Sequence, residues 1–423
     1  MKWKFLALTA LAAVLLAACG TSKVVSTVRV EGVVTNMVGV PSAGVRVLIP
    51  GKSVVTTDAD GRFVFEDVTI PYTLIVEQET GKYVIYEGLT RTDPQPSAAN
   101  DTGSFTVTIE GEVQGTTSGN RLGLQLVSRN ALYTQSFGAS DTATGYSFNT
   151  TLYKPTATAE LYALEWSRGA DGNVQDYIAF GRYANTLDLV AGATLSNRNI
   201  ALTTIAATHD LTVSTSGPSE LNPKTYIAGV RFADEDVPAY PILGYVELSP
   251  PDAGYTARSP NLTDVQMLLG AAYMNGGDLF SIVWESVPAT ATSHVLSAPD
   301  LVALTAPEDG GTVSVGSSLG WEGPEGALYL TYLQGDLELT FITADTSVSL
   351  PDLSPFGADY GSNAYSWQII AFRFGGVMEG EVDQAVAPGI SSPYWMIFAT
   401  IFNLPPSASG YMVSSPEYTF TVQ

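Results

Sequence analysis

A serine flanked by glycines can act as a nucleophile, and GSSLG at residues 316–320 places Ser318 in the spacing G-x-S-x-G. Such a serine needs a helix directly after it and a histidine later in the chain to accept its proton. The residues that follow are WEGPEG, and no histidine occurs beyond His294. We therefore predict that Ser318 belongs to a strand and is not a nucleophile.

The other residues with metal or acid-base chemistry are dispersed. His209 and His294 are far apart in the sequence and form no H-x-x-H pair, so no zinc site is predicted. TDADG (57–61) and GADGNVQD (169–176) contain acids beside glycine, but they lack the ligand spacing of an EF-hand. Hairpin turns explain both stretches, and calcium stays an open alternative. No cofactor, metal or catalytic residue is predicted, and the chain is not expected to be an enzyme.

The only cysteine, Cys19, follows a positively charged start and the apolar run FLALTALAAVLL, which has the length of a secretory signal rather than a membrane span. LAAC (16–19) resembles the bacterial lipobox. This resemblance implies that residues 1–18 are a lipoprotein signal peptide and that Cys19 becomes the lipid-bearing first residue, a firm membrane anchor. Because Gly20 rather than Asp follows the cysteine, an outer-membrane location is favoured. The alternative is an ordinary signal peptide.

The charge of the chain excludes one class of partner. The formal net charge is −23, and from Pro260 onward 17 acidic residues are accompanied by one basic residue, Arg373. Such a surface repels phosphate backbones, so nucleic acid is not an expected partner. Solubility explains the acids, and cation-bridged adhesion is the alternative.

Alternation of apolar and polar residues recurs throughout the chain, as in SFTVTIE (104–110) and LELTFI (337–342), and it predicts half-buried strands. The fold class is therefore expected to be all-β, with tandem immunoglobulin-like or transthyretin-like β-sandwiches and at most one or two short helices. TVRVEGVV at Thr27 and TVTIEGEV at Thr106 share T-V-x-[V/I]-E-G-x-V, which predicts two domains that begin with equivalent strands.

Four β-sandwich domains are expected after the signal peptide: 19–96, 104–205, 206–300 and 303–423. RTDPQPSAANDTG (91–103) has the composition of a linker. One segment has helical spacing, and it predicts a short helix over 262–274 in the third domain. Whether residues 104–300 form one domain or two is left open.

The first domain contains GVPSAGVRV, TDADGRFVF and PYTLIV, which together resemble the carboxypeptidase regulatory-like domain, a small transthyretin-like β-sandwich. The turn would place Gly61 at a positive φ and send Phe63 and Phe65 into the core. Such modules are accessory, so the resemblance implies attachment or binding and no catalytic residue.

The C-terminal region, with GSSLGWEG, AYSWQIIAFRF and PEYTFTV, resembles a fibronectin type III-like sandwich. Its candidate core consists of Trp321, Tyr329, Leu350, Leu353, Tyr365, Trp367 and Phe420. Between the last two strands that family has a short loop, whereas here an insertion spans 375–415. Long insertions in compact domains are often functional.

The insertion contains SPYWMIFATIFNLPP, an apolar run too short to cross a bilayer. Its candidate binding residues are the aromatic side chains Tyr394, Trp395, Phe398 and Phe402. If they are exposed, they can bind a sugar ring, a protein or the membrane interface. If they are buried, they cover the sandwich.

These features predict a lipid-anchored protein of the cell envelope that acts as a non-catalytic binding module for a glycan or a partner protein. The alternatives are a structural spacer of the envelope without a discrete ligand and an accessory subunit of an envelope enzyme complex.

Overall fold

The structure is a computed structural model that describes residues 27–36, 39–98, 105–128, 136–137, 144–152, 155–221, 224–232, 242–248, 254–263, 265–275, 279–361, 363–375, 378–388 and 408–423. Within these ranges the fold is all-β, as predicted. Its helical elements there are the four-residue helix α1 (Val382–Ala385) and one 3₁₀ turn (Ser354–Phe356).

The strands are grouped by the four regions predicted from the sequence, which we call the first to the fourth sandwich. The first sandwich contains β1 (Thr27–Val33), β2 (Arg46–Leu48), β3 (Val55–Thr56), β4 (Arg62–Thr69), β5 (Tyr72–Glu79) and β6 (Lys82–Leu89). The second sandwich contains β7 (Phe105–Gln114), β8 (Arg121–Ser128), β9 (Ser136–Phe137), β10 (Gly145–Leu152), β11 (Thr156–Arg168), β12 (Val174–Arg182), β13 (Leu187–Val190), β14 (Thr194–Leu195), β15 (Ile200–Ala201) and β16 (Thr203–Thr204).

The third sandwich contains β17 (Thr208–Ser216), β18 (Lys224–Arg231), β19 (Ile242–Leu248), β20 (Gly254–Pro260), β21 (Gln266–Asn275), β22 (Leu279–Pro288) and β23 (Ser293–Ser297). The fourth sandwich contains β24 (Ala303–Ala306), β25 (Gly311–Val313), β26 (Ser318–Glu322), β27 (Leu328–Gln334), β28 (Glu338–Thr343), β29 (Ser347–Ser349), β30 (Ala364–Phe374), β31 (Ser409–Ser414) and β32 (Tyr418–Val422).

Three of the four sandwiches share one continuous sheet. Its strand order is β19-β18-β21-β22-β31-β30-β27-β28-β6-β5-β2-β3, with β32 and β25 attached to β30. Strand β6 joins the first sandwich to the fourth by parallel pairing with β28, from Lys82 opposite Glu338 to Tyr86 opposite Ile342. The second sandwich has its own two sheets, β10-β7-β14 and β16-β12-β11-β8-β9. The domain boundaries proposed from the sequence stay predictions.

The predicted core residues of the C-terminal region are buried together. The seven side chains all belong to one hydrophobic cluster: Trp321, Tyr329, Leu350, Leu353, Tyr365, Trp367 and Phe420. Phe63 and Phe65 are likewise buried, in a second hydrophobic cluster, as predicted from their alternation on β4.

The helix predicted over 262–274 is wrong, because residues 266–275 form strand β21. This strand lies between β18 and β22 and is hydrogen-bonded on both edges. Leu268 belongs to the hydrophobic cluster that also contains Phe63 and Trp284, whereas Met267 and Leu269 belong to the cluster on the other face of the sheet. A central strand that is buried on both faces loses its two-residue alternation, and its apolar residues then match a helical spacing by coincidence.

The insertion predicted over 375–415 is not all loop. Its last part forms β31, which pairs with β30 on one side and β22 on the other. Gly410 permits this close fit, since a Cβ there would lie 2.3 Å from the carbonyl oxygen of Arg373 and 2.5 Å from the ring of Trp284.

The segment predicted as a linker over 91–103 begins as part of the first sandwich. The amides of Glu31 and Val33 donate to the carbonyl oxygens of Thr92 (2.9 Å) and Pro94 (3.1 Å). Proline has no amide hydrogen to donate, but its carbonyl oxygen accepts hydrogen bonds, so a proline-rich segment can still pair with β1 in this way.

Candidate functional site

An open groove of about 680 Å³ lies on the outer face of the second sandwich. Its floor is the antiparallel pair β7 and β10, in which Glu110 stands opposite Ser147 and Gly111 opposite Tyr146. Its wall is the segment 196–199, which we call the arch because it connects two short strands, β14 and β15, that both run parallel to β7.

The arch crosses β7 at Gly111. A Cβ on that residue would lie 2.3 Å from the carbonyl oxygen of Arg198 and 2.8 Å from the hydroxyl of Tyr146. The amide of Arg198 donates to the carbonyl of Glu110 at 2.9 Å, and the Tyr146 hydroxyl donates to the carbonyl of Arg198. Burial raises the pKa of the Tyr146 hydroxyl, so it stays a donor at neutral pH.

Polar side chains line the groove. The carboxylate of Glu110 accepts hydrogen bonds from the hydroxyls of Ser147 (3.3 Å) and Ser196 (3.0 Å). The side-chain oxygen of Asn199 accepts a hydrogen bond from the amide of Glu112 at 3.0 Å, so this bond does not use the Asn199 NH₂ group. The groove therefore has carboxylate, amide and hydroxyl groups on a backbone frame held by hydrogen bonds.

The site residues predicted from the sequence lie outside the described residues. This applies to Cys19 and to the four aromatic residues of the insertion: Tyr394, Trp395, Phe398 and Phe402. The lipid attachment at Cys19 and the binding role of the four aromatic residues remain predictions.

The described residues on either side of 389–407 are held in place. The chain leaves β30 at Gly375, whose amide donates to the carbonyl of Ser409 at 2.9 Å, so departure and return are adjacent. On the return side, the carbonyl of Ala408 accepts from the amide of Ser286 at 2.7 Å. On the departure side, the carbonyl of Val386 accepts from the amide of Gln95 at 2.7 Å.

Helix α1 adds a second attachment on the departure side. One carboxylate oxygen of Asp383 accepts from the amides of Thr90 (2.9 Å) and Arg91 (3.2 Å), and the other accepts from the Thr90 hydroxyl. The guanidinium of Arg91 in turn donates to the carbonyl of Asp383 at 3.1 Å. The insertion thus contacts the first sandwich before it reaches the aromatic run.

Ser318 is the first residue of β26, which pairs with β24 and β29. The strand predicted for this serine is confirmed, and no helix follows it to build a nucleophile elbow. The imidazole of His209 contacts the carbonyl of Ala291 at 2.8 Å, and that of His294 contacts the Glu285 carboxylate at 2.9 Å. Each histidine thus has its own separate partner.

The two acidic stretches form turns, as expected. One carboxylate oxygen of Asp58 accepts from the amides of Asp60 and Arg62, both at 2.9 Å, and Gly61 has a φ of 70°. Similarly, Asp171 accepts from the amide of Asn173 at 3.1 Å. Within the described ranges, no group of three or more acidic, histidine or cysteine residues is placed to hold a metal ion. No helix in that part of the chain has both the length and the apolar character needed to cross a membrane.

No protein-family model matches the chain, and no curated protein matches its sequence. Among solved structures, it is similar to the fimbrial anchor protein Mfa2 from Porphyromonas gingivalis, with 9% identity over 47% of this chain and 90% of that chain and a TM-score of 0.18. The Bacillus anthracis TIE protein matches at 9% identity over 77% of this chain and 60% of that chain, with a TM-score of 0.17. The shaft pilin SpaA from Lactobacillus rhamnosus GG matches at 9% identity over 46% of this chain and 96% of that chain, with a TM-score of 0.16. At these scores the similarities assign no function.

Proposed function

We propose that this chain is a non-catalytic binding protein of the bacterial cell envelope, anchored through lipid on Cys19, which recognises a glycan or a partner protein. The observation that carries the proposal is that the described residues on either side of 389–407 are both attached to the sheet. Strands β30 and β31 pair directly, from Ile370 opposite Ser414 to Phe374 opposite Gly410. The residues between them are therefore not needed to close the sheet.

The composition of the intervening stretch supports recognition. Residues 392–406, SPYWMIFATIFNLPP, contain no charged side chain in a protein of net charge −23. Aromatic side chains provide large contact areas and frequently dominate binding energy. We therefore assign recognition to Tyr394, Trp395, Phe398 and Phe402.

The binding test compares the mature chain with Trp395→Ala. Binding to isolated envelope glycan or envelope protein should weaken about 30-fold, since a central aromatic anchor contributes more than about 2 kcal/mol, while the melting temperature stays within about 2 °C. Val295→Ala is the control, because Val295 is a single apolar side chain that is 63% exposed. A large drop in melting temperature with unchanged binding would assign the segment to the core and contradict the proposal.

Anchoring is tested separately by cell fractionation. Cys19→Ser removes the sulfur that the lipid would be attached to, so the protein should move from the membrane pellet to the soluble fraction. A variant that stays in the pellet would contradict lipid anchoring without affecting the binding test.

A structural spacer is the second candidate, and one observation favours it. The pairing of β6 with β28 makes the first sandwich continuous with the fourth through backbone hydrogen bonds, in a chain whose one cysteine permits no internal disulfide. Such continuity resists bending between units. The spacer is favoured if Trp395→Ala changes neither binding to envelope fractions nor stability.

A further inference from the structure

The groove of the second sandwich has a counterpart in the first sandwich, and the two differ in charge. The shared pattern T-V-x-[V/I]-E-G-x-V aligns Glu31 with Glu110 and Gly32 with Gly111. In both sandwiches the glycine stands opposite an aromatic residue of the antiparallel neighbour, Phe63 in the first and Tyr146 in the second. Equivalent positions can therefore be compared residue by residue.

In the first sandwich the glutamate is neutralised. Arg29 and Arg62 each approach the carboxylate of Glu31 at 3.3 Å. The outward position after the glycine is Val33, which adds no further charge. That surface is a closed network of ion pairs.

In the second sandwich every one of these features is changed. The residues at the positions of Arg29 and Arg62 are Thr108 and Gly145, and Glu112 replaces Val33. No ion pair among the described residues involves Glu110 or Glu112. The second sandwich thus has no arginine at these two positions and has one more carboxylate than the first.

We propose that this groove binds a neutral saccharide, with Glu112, Asn197 and Asn199 as its hydrogen-bonding residues. Adjacent hydroxyls of a sugar each donate and accept hydrogen bonds. The carboxylate of Glu112 can accept from one hydroxyl, and a neighbouring carboxamide NH₂ group can donate to the next. This inference rests on the proposed binding function, but it concerns a site separate from the aromatic segment.

The charge and the polar lining of the groove favour a neutral saccharide. Among the residues that line the groove in the described ranges, an anionic ligand would meet two carboxylates and no basic side chain. The nearby guanidinium of Arg198 lies over Tyr183, 5.7 Å from the ring centroid. The groove is open and its lining is largely polar, so its carboxylate and carboxamide groups are accessible to a ligand rich in hydroxyls. The arch is held next to Glu110 by the hydrogen bonds that Arg198 makes with the Glu110 carbonyl and the Tyr146 hydroxyl.

The test uses the full mature chain on an array of neutral tri- to hexasaccharides, followed by titration calorimetry with the best-bound oligosaccharide. Glu112→Gln should weaken binding at least about tenfold, as expected for the loss of a hydrogen bond to a charged group. Gly145→Arg restores the arginine of the first sandwich and should abolish binding. There is room for it, since a Cβ at Gly145 meets nothing closer than 4.0 Å. Glu31→Gln is the matched control and should leave the dissociation constant unchanged.

Several results would overturn the inference. These are the absence of binding to any saccharide of the array, or equal binding by the wild type, Glu112→Gln and Gly145→Arg. The groove would instead be assigned to cations if no saccharide binds and calcium or spermidine raises the melting temperature of the wild type but not of Gly145→Arg. Trp395→Ala should leave saccharide binding in the groove intact, so failure of this inference is distinguishable from failure of the proposed function. If Gly145→Arg does not fold, Glu112→Gln still decides.

Discussion

Gly32 and Gly111 occupy the same position in two repeats and perform the same structural task. A Cβ on Gly32 would lie 2.3 Å from the ring of Phe63 and 2.5 Å from the carbonyl oxygen of Pro94. A Cβ on Gly111 would meet the equivalent groups, the hydroxyl of Tyr146 and the carbonyl oxygen of Arg198. In each sandwich the missing side chain lets an aromatic ring cover the strand and a later segment run alongside it.

Gly111→Ala should destabilise the protein by about 1–3 kcal/mol, the usual cost of overpacking, because the backbone of the arch cannot move aside as a flexible side chain could. Urea unfolding monitored by circular dichroism measures the change. Gly145→Ala, on the neighbouring strand and without a close contact, is the control and should change stability by less than about 0.5 kcal/mol. Equal effects of the two variants would contradict the close approach at Gly111.

Phe63→Ala should destabilise the protein by about 3–5 kcal/mol, since it empties a fully enclosed aromatic site. The ring is 2% exposed and forms an edge-to-face pair with Phe65, with centroids 6.0 Å apart. Thermal unfolding is a suitable measurement. Val40→Ala, at a side chain that is 49% exposed, serves as the control. Unchanged stability of Phe63→Ala would show that this ring is not part of the core.

The sequence predicts the strands and cores that depend on local alternation. The resemblance to a fibronectin type III-like sandwich predicts Trp321, Trp367 and Phe420 as core residues, and all three are buried. Strand β21 is buried on both faces, so no alternation with polar residues distinguishes it from a helix in the sequence. The pairing of β6 with β28 joins residues far apart in the chain, and no local pattern reports such a contact.

The groove was also missed by sequence reasoning, for a different reason. Residues such as Asn197 and Asn199 in a short connection have the composition of an ordinary turn. One signal was present in the sequence: the aligned repeats exchange Arg29 for Thr108 and Val33 for Glu112. This difference between the repeats indicates a groove only once the strand register shows which of these residues lie on the same face of the sheet.

Glu87 should make stability depend on pH. Burial, followed in smaller measure by the nearby Asp345 carboxylate, raises the pKa of Glu87 to about 7 from its ordinary 4.5. Because the folded state binds the proton more tightly than the unfolded state, this residue lowers the free energy of unfolding as pH rises from about 4.5 to about 7. The full effect is on the order of 3 kcal/mol.

Comparison of Glu87→Gln with the wild type isolates this effect. The variant should match the wild type in urea unfolding near pH 4.5 and be more stable at pH 8, because its neutral carboxamide has no proton to lose. Glu66→Gln, at a side chain that is 65% exposed on β4, is the control and should follow the wild type. A difference between Glu87→Gln and the wild type that does not change between these pH values would contradict a raised pKa.

Asp383→Ala should loosen the attachment of the insertion to the first sandwich. The substitution removes the acceptor of the Thr90 and Arg91 amides, a loss of about 1–2 kcal/mol in local stability. Hydrogen exchange of these two amides should accelerate roughly tenfold, a ratio that corresponds to about 1.4 kcal/mol. Glu381→Ala is the matched control, since the side chain of Glu381 makes no capping hydrogen bond to α1. If Asp383→Ala also weakens binding to envelope fractions while Glu381→Ala does not, the attachment positions the recognition segment. Equal hydrogen-exchange rates of the Thr90 and Arg91 amides in both variants would contradict the role of Asp383.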